Sequence, residues 1–482
     1  MLTLRSGVRI GCLLALAGMP SVRAQQPTQQ DQSGAPVPAY HSPLAGAADN
    51  EDSADQPQKL APDTRSPTGV QDFSLGAPPL QHSFWQPNFY LTSTADSNAL
   101  GANSNTGWTT YTTVLAGVDL RRITGGSDLT VNYIGGGTVS NDGAVGNSVT
   151  QELELAQKFS FRHAAISFFD QMTYLPEQSF GYGGLGGLGL PGGGSTGVQN
   201  GFDPGGTILT PRGQRITNSF LTQVDVQLNG RSSLTFVGGY TLLHYFDNNL
   251  LDYNDSIAQV GYNYQWTRHD TLSVLYRFNA YRFTGFNQSI NDHVVLLNYG
   301  RRVTGKLALQ IGVGPEVTMF AVPITGSSSA ATSGSQTLIN WSVNSAVTYA
   351  FERTSLGLLY ARGAGGGAGV LAGSESDTVS GYANHQFTRT LNGGIDVGYA
   401  RNNGLNTGLL NNTTATNQTF DYWFSGVTLN KSWGRMLNLL FNYQLQYQNS
   451  NAAFCVGPTC GASIIRNMVT VGFSWRDHPL AF

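Results

Sequence analysis

The chain has 482 residues, of which 60 are Gly, 26 are Lys or Arg and 29 are Asp or Glu. Charge at 11%, against a usual ~25%, excludes an ordinary cytosolic enzyme surface, the 24 Phe, 21 Tyr and 7 Trp exclude a disordered chain, and a net charge of −3 argues against nucleic-acid binding. No run of ~20 apolar residues occurs, which excludes a helical membrane protein and leaves a Gly-rich, amide-rich all-β chain.

The N-terminus reads as an export signal. Arg5 and Arg9 make a positive start, residues 10–19 are a short apolar stretch, and Val22, Arg23 and Ala24 end in a small residue, so cleavage is expected before Gln25. The apolar stretch is too short to span a bilayer. Cys12 lies inside it and leaves with it. Residues 25–83 differ from everything after them. Positions 25–82 hold nine of the 19 prolines, many Gln, and Asp49, Glu51, Asp52, Asp55 and Asp63. Apolar clusters are missing, so this stretch is expected to be a disordered periplasmic segment.

From residue 84 to 482 the pattern has a period of two. In 307–320, Leu307, Leu309, Ile311, Val313, Val317 and Met319 share one face, and Gln310, Gly312, Glu316 and Thr318 share the other. Pro315 sits inside that run and should mark a bulge or a missing ladder bond. In 339–349, Ile339, Trp341, Val343, Val347 and Tyr349 alternate with polar or small residues. In 437–448, Leu437, Leu439, Phe441, Tyr443, Leu445 and Tyr447 do the same. Such runs last about 10–14 residues, against a usual ~5–6, which fits tilted strands crossing a bilayer. Aromatics gather near run ends, as in Tyr262, Tyr264 and Trp266, Tyr422 and Trp423, Trp433, and Phe473 and Trp475. That placement suits the two membrane interfaces.

The connections alternate as well. Short turns, most of them Arg-bearing, recur near Thr124, Arg162, Arg231, Arg268, Lys306, Arg353, Arg389 and Arg435. Between them lie long Gly-, Asn-, Ser- and Thr-rich stretches at 140–147, 176–213, 246–255, 285–290, 321–336, 363–376, 402–418 and 449–462. The repeat unit is therefore a hairpin plus one long loop. Counting back from the last run, 464–475, and adding 88–96 so that both termini lie inside, predicts an up-and-down antiparallel barrel of about 18 strands, with 16 as the alternative. A barrel of this size encloses an aqueous lumen.

The export signal, the hairpin repeat with Arg at its short turns and the terminal Phe482 resemble bacterial outer-membrane β-barrel porins. The resemblance covers residues 84–482. It implies an outer-membrane location, a terminal aromatic read by the barrel-assembly machinery, and a possible homotrimer. The chain departs from the family pattern at its end, because the last run closes near Trp475 and residues 476–482 follow it.

If the apolar phase faces lipid, the other phase faces the pore. It contains Asp119, Arg121, Glu152, Glu154, Lys158, Asp225, Arg277, Arg302, Glu316, Asp396 and Arg466. A charge facing lipid costs up to ~2–4 kcal/mol at mid-bilayer, which points these groups inward. There they would set the field of the pore or simply solvate its wall. Both signs occur, so weak ion selectivity is expected. The longest loop, 176–213, is third in rank, as is the constricting loop of general porins, and partial constriction is expected of it. Asp247, Asp252 and Asp255 are read as part of a solvated loop, since their spacing matches no Ca²⁺ cage. Cys455 and Cys460, in an exported chain and with no neighbouring His or Asp, are expected to form a loop-pinning disulfide rather than a metal site.

Catalytic motifs are weak. Residues 181–186 match G-x-G-x-x-G and 193–197 match G-x-S-x-G, both inside low-complexity loop with no helix to follow. No enzyme activity and no cofactor are expected. The sequence therefore predicts a passive channel for small polar solutes or ions. A non-conducting receptor or adhesin barrel that binds through its external loops is the alternative.

Overall fold

A computed structural model describes residues 83–99, 107–143, 145–176, 208–209, 213–246, 250–284, 288–304, 306–323, 333–351, 353–405, 418–434, 436–451 and 463–481. The strands are β1 (Phe84–Asp96), β2 (Thr109–Thr124), β3 (Ser127–Ser140), β4 (Ser148–Ser160), β5 (Ala164–Leu175) and β6 (Arg215–Asn229). Then come β7 (Ser232–Tyr245), β8 (Tyr253–Gln265), β9 (Asp270–Phe283), β10 (Ser289–Arg302), β11 (Leu307–Pro323) and β12 (Ser333–Ala350). The series ends with β13 (Thr354–Gly365), β14 (Ser374–Thr388), β15 (Leu391–Gly404), β16 (Thr419–Trp433), β17 (Leu437–Ser450), β18 (Ile464–Arg476) and the stub β19 (Leu480–Ala481).

Each strand pairs antiparallel with its neighbour in sequence, and β1 pairs β18, so the sheet closes as an 18-stranded barrel. Closure leaves the first and last strands no free edge, which is what a spanning β structure requires in a medium without water. At ~4.8 Å between strands and ~40° of tilt, a circular wall of this size has a backbone radius of about 18 Å.

The period-two pattern decides which side chains face where. On β10, Val295 and Leu297 are exposed while Val294, Leu296 and Asn298 are buried. On β17, Leu439 and Phe441 are exposed while Asn442, Gln444, Gln446 and Gln448 are buried. The exposed set, including Val274, Val260, Ile311, Val313, Leu358, Ile395, Val397 and Val471, forms an apolar outer belt. Trp85, Trp266 and Trp433 stand at its periplasmic edge, and Trp108, Trp341 and Trp423 at the opposite one. Tyr422 departs from the expected girdle. It is inward and buried beside Leu209, Ala400 and Ile464, because the strand phase sends its neighbour Trp423 outward.

An ion-paired row crosses the outer face near the extracellular strand ends. Arg362, Asp377, Arg401 and Asp421 are successive register partners on β13 to β16. Tyr360 donates to Asp377 and Tyr399 to Asp421, with the Trp423 ring tilted against Tyr399. At ~3.3 Å per residue and ~40° of tilt, the row lies about 25–30 Å above the periplasmic turns, where a charged group meets water and lipid headgroups.

Three local features sharpen or correct the sequence expectations, the first by taking the second of its two alternatives. At Pro315 the register runs unshifted, with no bulge. Two rungs of the β10–β11 ladder are missing there, because Pro offers no N–H. Neighbouring Gly314 lies so near β10 that a Cβ would stand 1.7 Å from the Val295 carbonyl oxygen. At the C-terminus, residues 477–479 leave the ladder, and Leu480 and Ala481 return to pair with Trp85 and Phe84. The tail thus rejoins the closing seam with a one-residue slip at Pro479, instead of trailing from it. Finally, Asp255 is not a loop residue. It lies in β8, inward and 1% exposed, because strand pairing with β9 begins at Tyr253.

The wall is uneven at one place. β12 pairs with β11 up to Pro323↔Ser333, but with β13 only up to Val343↔Arg362. Beyond Arg362, β13 turns into the lumen, where the Ala364 N–H donates to Glu316 Oε1 at 2.8 Å. The upper part of β12 therefore stands apart from β13, with Ile339 and Trp341 exposed.

Candidate functional site: the charged lumen and its two inward loops

Register and phase place all eleven sequence-nominated charges on the inward face. Asp119 and Arg121 (β2), Glu152, Glu154 and Lys158 (β4), Asp225 (β6), Arg277 (β9), Arg302 (β10), Glu316 (β11), Asp396 (β15) and Arg466 (β18) share the phase of the buried side chains. Among the described residues, six more inward charges join them: Asp96, Asp128, Arg215, Asp255, Asp292 and Arg476. Their strands begin or end at them, or their runs are short of apolar neighbours, so alternation alone did not single them out. A clearer signal would have been the strand register itself, which a single sequence does not carry.

The charges fall into groups. Arg466 grips Asp96 across the closing seam, with Nε at 3.1 and 2.9 Å from the two carboxylate oxygens and the second amine nitrogen at 2.6 Å. Arg476 approaches Asp119 at 3.4 Å, and Asn88 donates to the same carboxylate. Arg121 holds Asp128 at 2.7 Å on the periplasmic side, where Lys158 and Asp225 also lie. Thr235 and Gln223 both donate to Asp225. Glu152 and Glu154 share the Gln171 amide, and Asn132 also donates to Glu154.

One register row links several of these groups. Asp119, Asn132, Glu154, Gln171, Ser219, Thr241 and Asp255 are successive partners from β2 to β8. Because the strands tilt, this row climbs as a polar ramp from the lower half of β2 to the extracellular end of β8. The ramp carries three acids and no base. Taken together, the inward acids outnumber the inward bases.

The extracellular mouth has another character. Leu243, Tyr245, Tyr253, Tyr281, Phe283, Ile290, Phe320, Ala364 and Leu405 form an inward apolar cluster there. This is the seat of the β13–β14 loop. Gly367, Ala368, Gly369 and Gly373 all take positive φ, which folds residues 366–373 into a compact inward turn. Tyr245 Oη donates to the Ala368 carbonyl at 2.8 Å, and Gln288 to that of Ala372 at 2.8 Å. A Cβ at Gly369 would strike the Tyr245 ring, and one at Gly373 the Ile290 side chain. Close packing thus needs glycine at both positions.

The described end of the long β5–β6 loop is also inside. Leu209 exchanges two hydrogen bonds with the Gln448 amide on β17, at 2.6 and 3.1 Å, and packs on Ala400, Tyr422 and Ile464. Ile208 packs on Ala368, Leu371 and Phe420. Residues 208 and 209 of this loop therefore lie against the β15–β18 wall and meet the β13–β14 loop; the rest of 176–213 after Pro176 and before Gly213 lies outside the described residues. Side chains alone would leave a wide opening inside a wall of about 18 Å radius, and residues 366–373 with Ile208 and Leu209 fill part of it.

Apolar side chains outside, charges and amides inside, and inward loops at one mouth make a coherent pattern. The chain is a closed, membrane-spanning antiparallel β-barrel of 18 strands. No protein-family model matches the sequence, and no curated protein matches it. Solved structures align with most of the barrel. OccAB3 of Acinetobacter baumannii is 10% identical, with TM-score 0.41, over 82% of this chain and 99% of that one. OccK2 (OpdF) of Pseudomonas aeruginosa, solved in complex with glucuronate, is 12% identical, with TM-score 0.41, over 82% and 99%. The ferric citrate transporter FecA, in its unliganded form, is 10% identical, with TM-score 0.42, over 78% and 61%. The architecture of the barrel is read from its own closed register.

Among the described residues, no three His, Cys, Asp or Glu side chains are placed to hold a metal ion. Cys455, Cys460, Asp247, Phe482, both glycine-motif matches, the export signal and the 25–82 segment lie outside the described residues.

Proposed function

We propose that this barrel is an outer-membrane channel through which small polar solutes or ions diffuse passively, after export and insertion by the barrel-assembly machinery. The observation that carries the reading is the inward phase: charges and amides run from the periplasmic Arg121–Asp128 pair to Asp255 near the mouth. A barrel that served only as an anchor has no use for this many inward charges, since each costs desolvation unless paired. Asp119, Arg121, Glu152, Glu154, Lys158, Asp225, Arg277, Arg302, Glu316, Asp396 and Arg466 set the field of the pore, and the further inward acids Asp96, Asp128, Asp255 and Asp292, against Arg215 and Arg476, tilt it toward cations. The two inward loops set its width. No cofactor and no catalytic step are involved.

The inward loops also support a second reading, a receptor whose mouth stays closed. Single-channel recording of the refolded mature chain in a planar bilayer separates the two. Stable steps that scale with salt, with a reversal potential of cationic sign in a salt gradient, are the channel outcome. Silence from a heat-modifiable, folded barrel rejects the channel and leaves the receptor. Cross-linking in detergent reads the homotrimer expected of such barrels.

A further inference from the structure

Beneath the β13–β14 loop, four adjacent strands present an unusual set of buried groups. Asn279 (β9) and Asp292 (β10) are register partners, and Asp255 (β8) and Glu316 (β11) lie diagonally on either side of them. Arg277 lies one inward position below Asn279. Asp255, Asn279, Asp292 and Glu316 are each 1% exposed or less. Their hydrogen bonds are incomplete. Thr318 donates to Asp292 Oδ1, and Ala364 N–H to Glu316 Oε1. Asp292 and Glu316 lean on each other, and Asp255 leans on the Ser256 and Ala280 backbone, while both amide atoms of Asn279 between them have no partner among the described residues. A buried polar atom without a partner costs about 1–3 kcal/mol, and more if charged. A fully buried amide with neither its donor nor its acceptor met, set among three carboxyl groups that share few donors, forms a site with room for a ligand's N–H groups.

The chemistry of the missing donor follows. Three carboxyl groups face one guanidinium, so the balance is acidic. The acceptors do not converge as a metal cage. They are spread over neighbouring strands ~4.8 Å apart, which suits a ligand with several separated N–H groups. We propose that Asp255, Asn279, Asp292 and Glu316 form a binding subsite for an organic cation, a guanidinium or primary ammonium solute, with the β13–β14 loop as its cover. Arg277 keeps the carboxylates apart and repels a second cation. The cover is tied to the site itself, since Ala364 lends its N–H to Glu316 and its carbonyl to Tyr281 Oη. Entry from the extracellular mouth therefore requires residues 366–373 to lift from the Tyr245–Ile290 seat. The acidic ramp that ends at Asp255 leads away from the same place.

This inference rests on the lumen being the solute path, and the test keeps the two apart. Binding of L-arginine amide, with L-glutamate and L-glutamine as comparison probes, is measured by calorimetry on the detergent-solubilised full chain. Bilayer current is recorded in parallel with the same probes. The expected result is saturable binding of arginine amide only. Affinity should fall at least 10-fold in Asp292→Asn/Glu316→Gln, a variant whose folding is checked by heat-modifiable mobility. Leu371→Asp, which unseats the cover, should raise the on-rate of current block several-fold. Binding without conductance would sink the channel and keep the site. Conductance without arginine-amide binding, or equal binding of all three probes, or binding unchanged in the neutralised variant, would overturn the site. If that double variant fails to fold, Asn279→Leu serves instead, since it removes a neutral acceptor and must also weaken binding.

Discussion

Arg466→Ala tests how the barrel is closed. The Asp96 side chain is fully buried and that of Arg466 is 5% exposed, and their fork of three hydrogen bonds bridges β1 and β18, the strands that shut the ring. Removing Arg466 leaves a buried carboxylate still held by the Asn98 N–H, at 3.0 Å, but without its counter-charge. Breaking one partner of such a pair costs about 3–5 kcal/mol, a factor of roughly 10²–10⁴ in the folding equilibrium. At a urea slope of ~3 kcal/mol/M, the unfolding midpoint in micelles should fall by on the order of 1 M. Arg401→Ala is the internal comparison. Its pair with Asp421 spans 4.0 Å on the outer face, with side chains 53% and 32% exposed, and such a pair is worth about 0–1 kcal/mol. Asp96→Leu/Arg466→Leu should recover most of the loss, because desolvating the pair offsets much of its attraction. Tryptophan fluorescence against urea, with heat-modifiable gel mobility as a second probe, reads all four proteins. Equal midpoints for Arg466→Ala and Arg401→Ala would refute the claim that the seam pair is buried and stabilising.

Other perturbations test other parts of the structure. Gly314→Val should block β10–β11 pairing and abolish heat-modifiable folding, whereas Gly238→Val, with no atom within 4 Å of its Cβ position, should fold. Leu297→Arg, on the exposed belt, should cost about 2–4 kcal/mol in lipid vesicles, and a neutral result would mean that this face does not meet lipid. Gln448→Leu removes both hydrogen bonds that anchor Leu209 to the far wall. Single-channel conductance and its noise should rise, and an unchanged trace would show that this loop does not constrict the path.

Much of this architecture is local. A strand has a side-chain period of two, so the alternation of Leu439 and Phe441 with Asn438, Asn442 and Gln444 already separates lipid from lumen. Run length then separates membrane strands from soluble ones, and alternating loop lengths separate the two ends. Those three signals suffice for the strand count and for the orientation of the eleven nominated charges. What they lack is long-range. Arg466 meets Asp96 across 370 residues because closing a ring joins its first and last strands. Leu480 and Ala481 look like a trailing tail until the seam supplies a partner strand. Asp255 looks like part of a loop until the register with β9 draws it inward.

Composition misleads most at the mouth. Residues 363–376 read as a solvated Gly-rich loop, since Gly365, Gly366, Gly367 and Gly369 carry no side chain to show a preference. Their backbone freedom lets the chain fold inward, but the aromatic seat that receives it comes from β7 to β11. The sequence by itself determined a tilted, membrane-length β-barrel with a polar interior, because period and length are properties of each strand alone. Only the tertiary structure decided which charges are paired, which acceptors lack donors and which loops enter the lumen, because those depend on strand tilt and ring closure, which bring distant strands to one level.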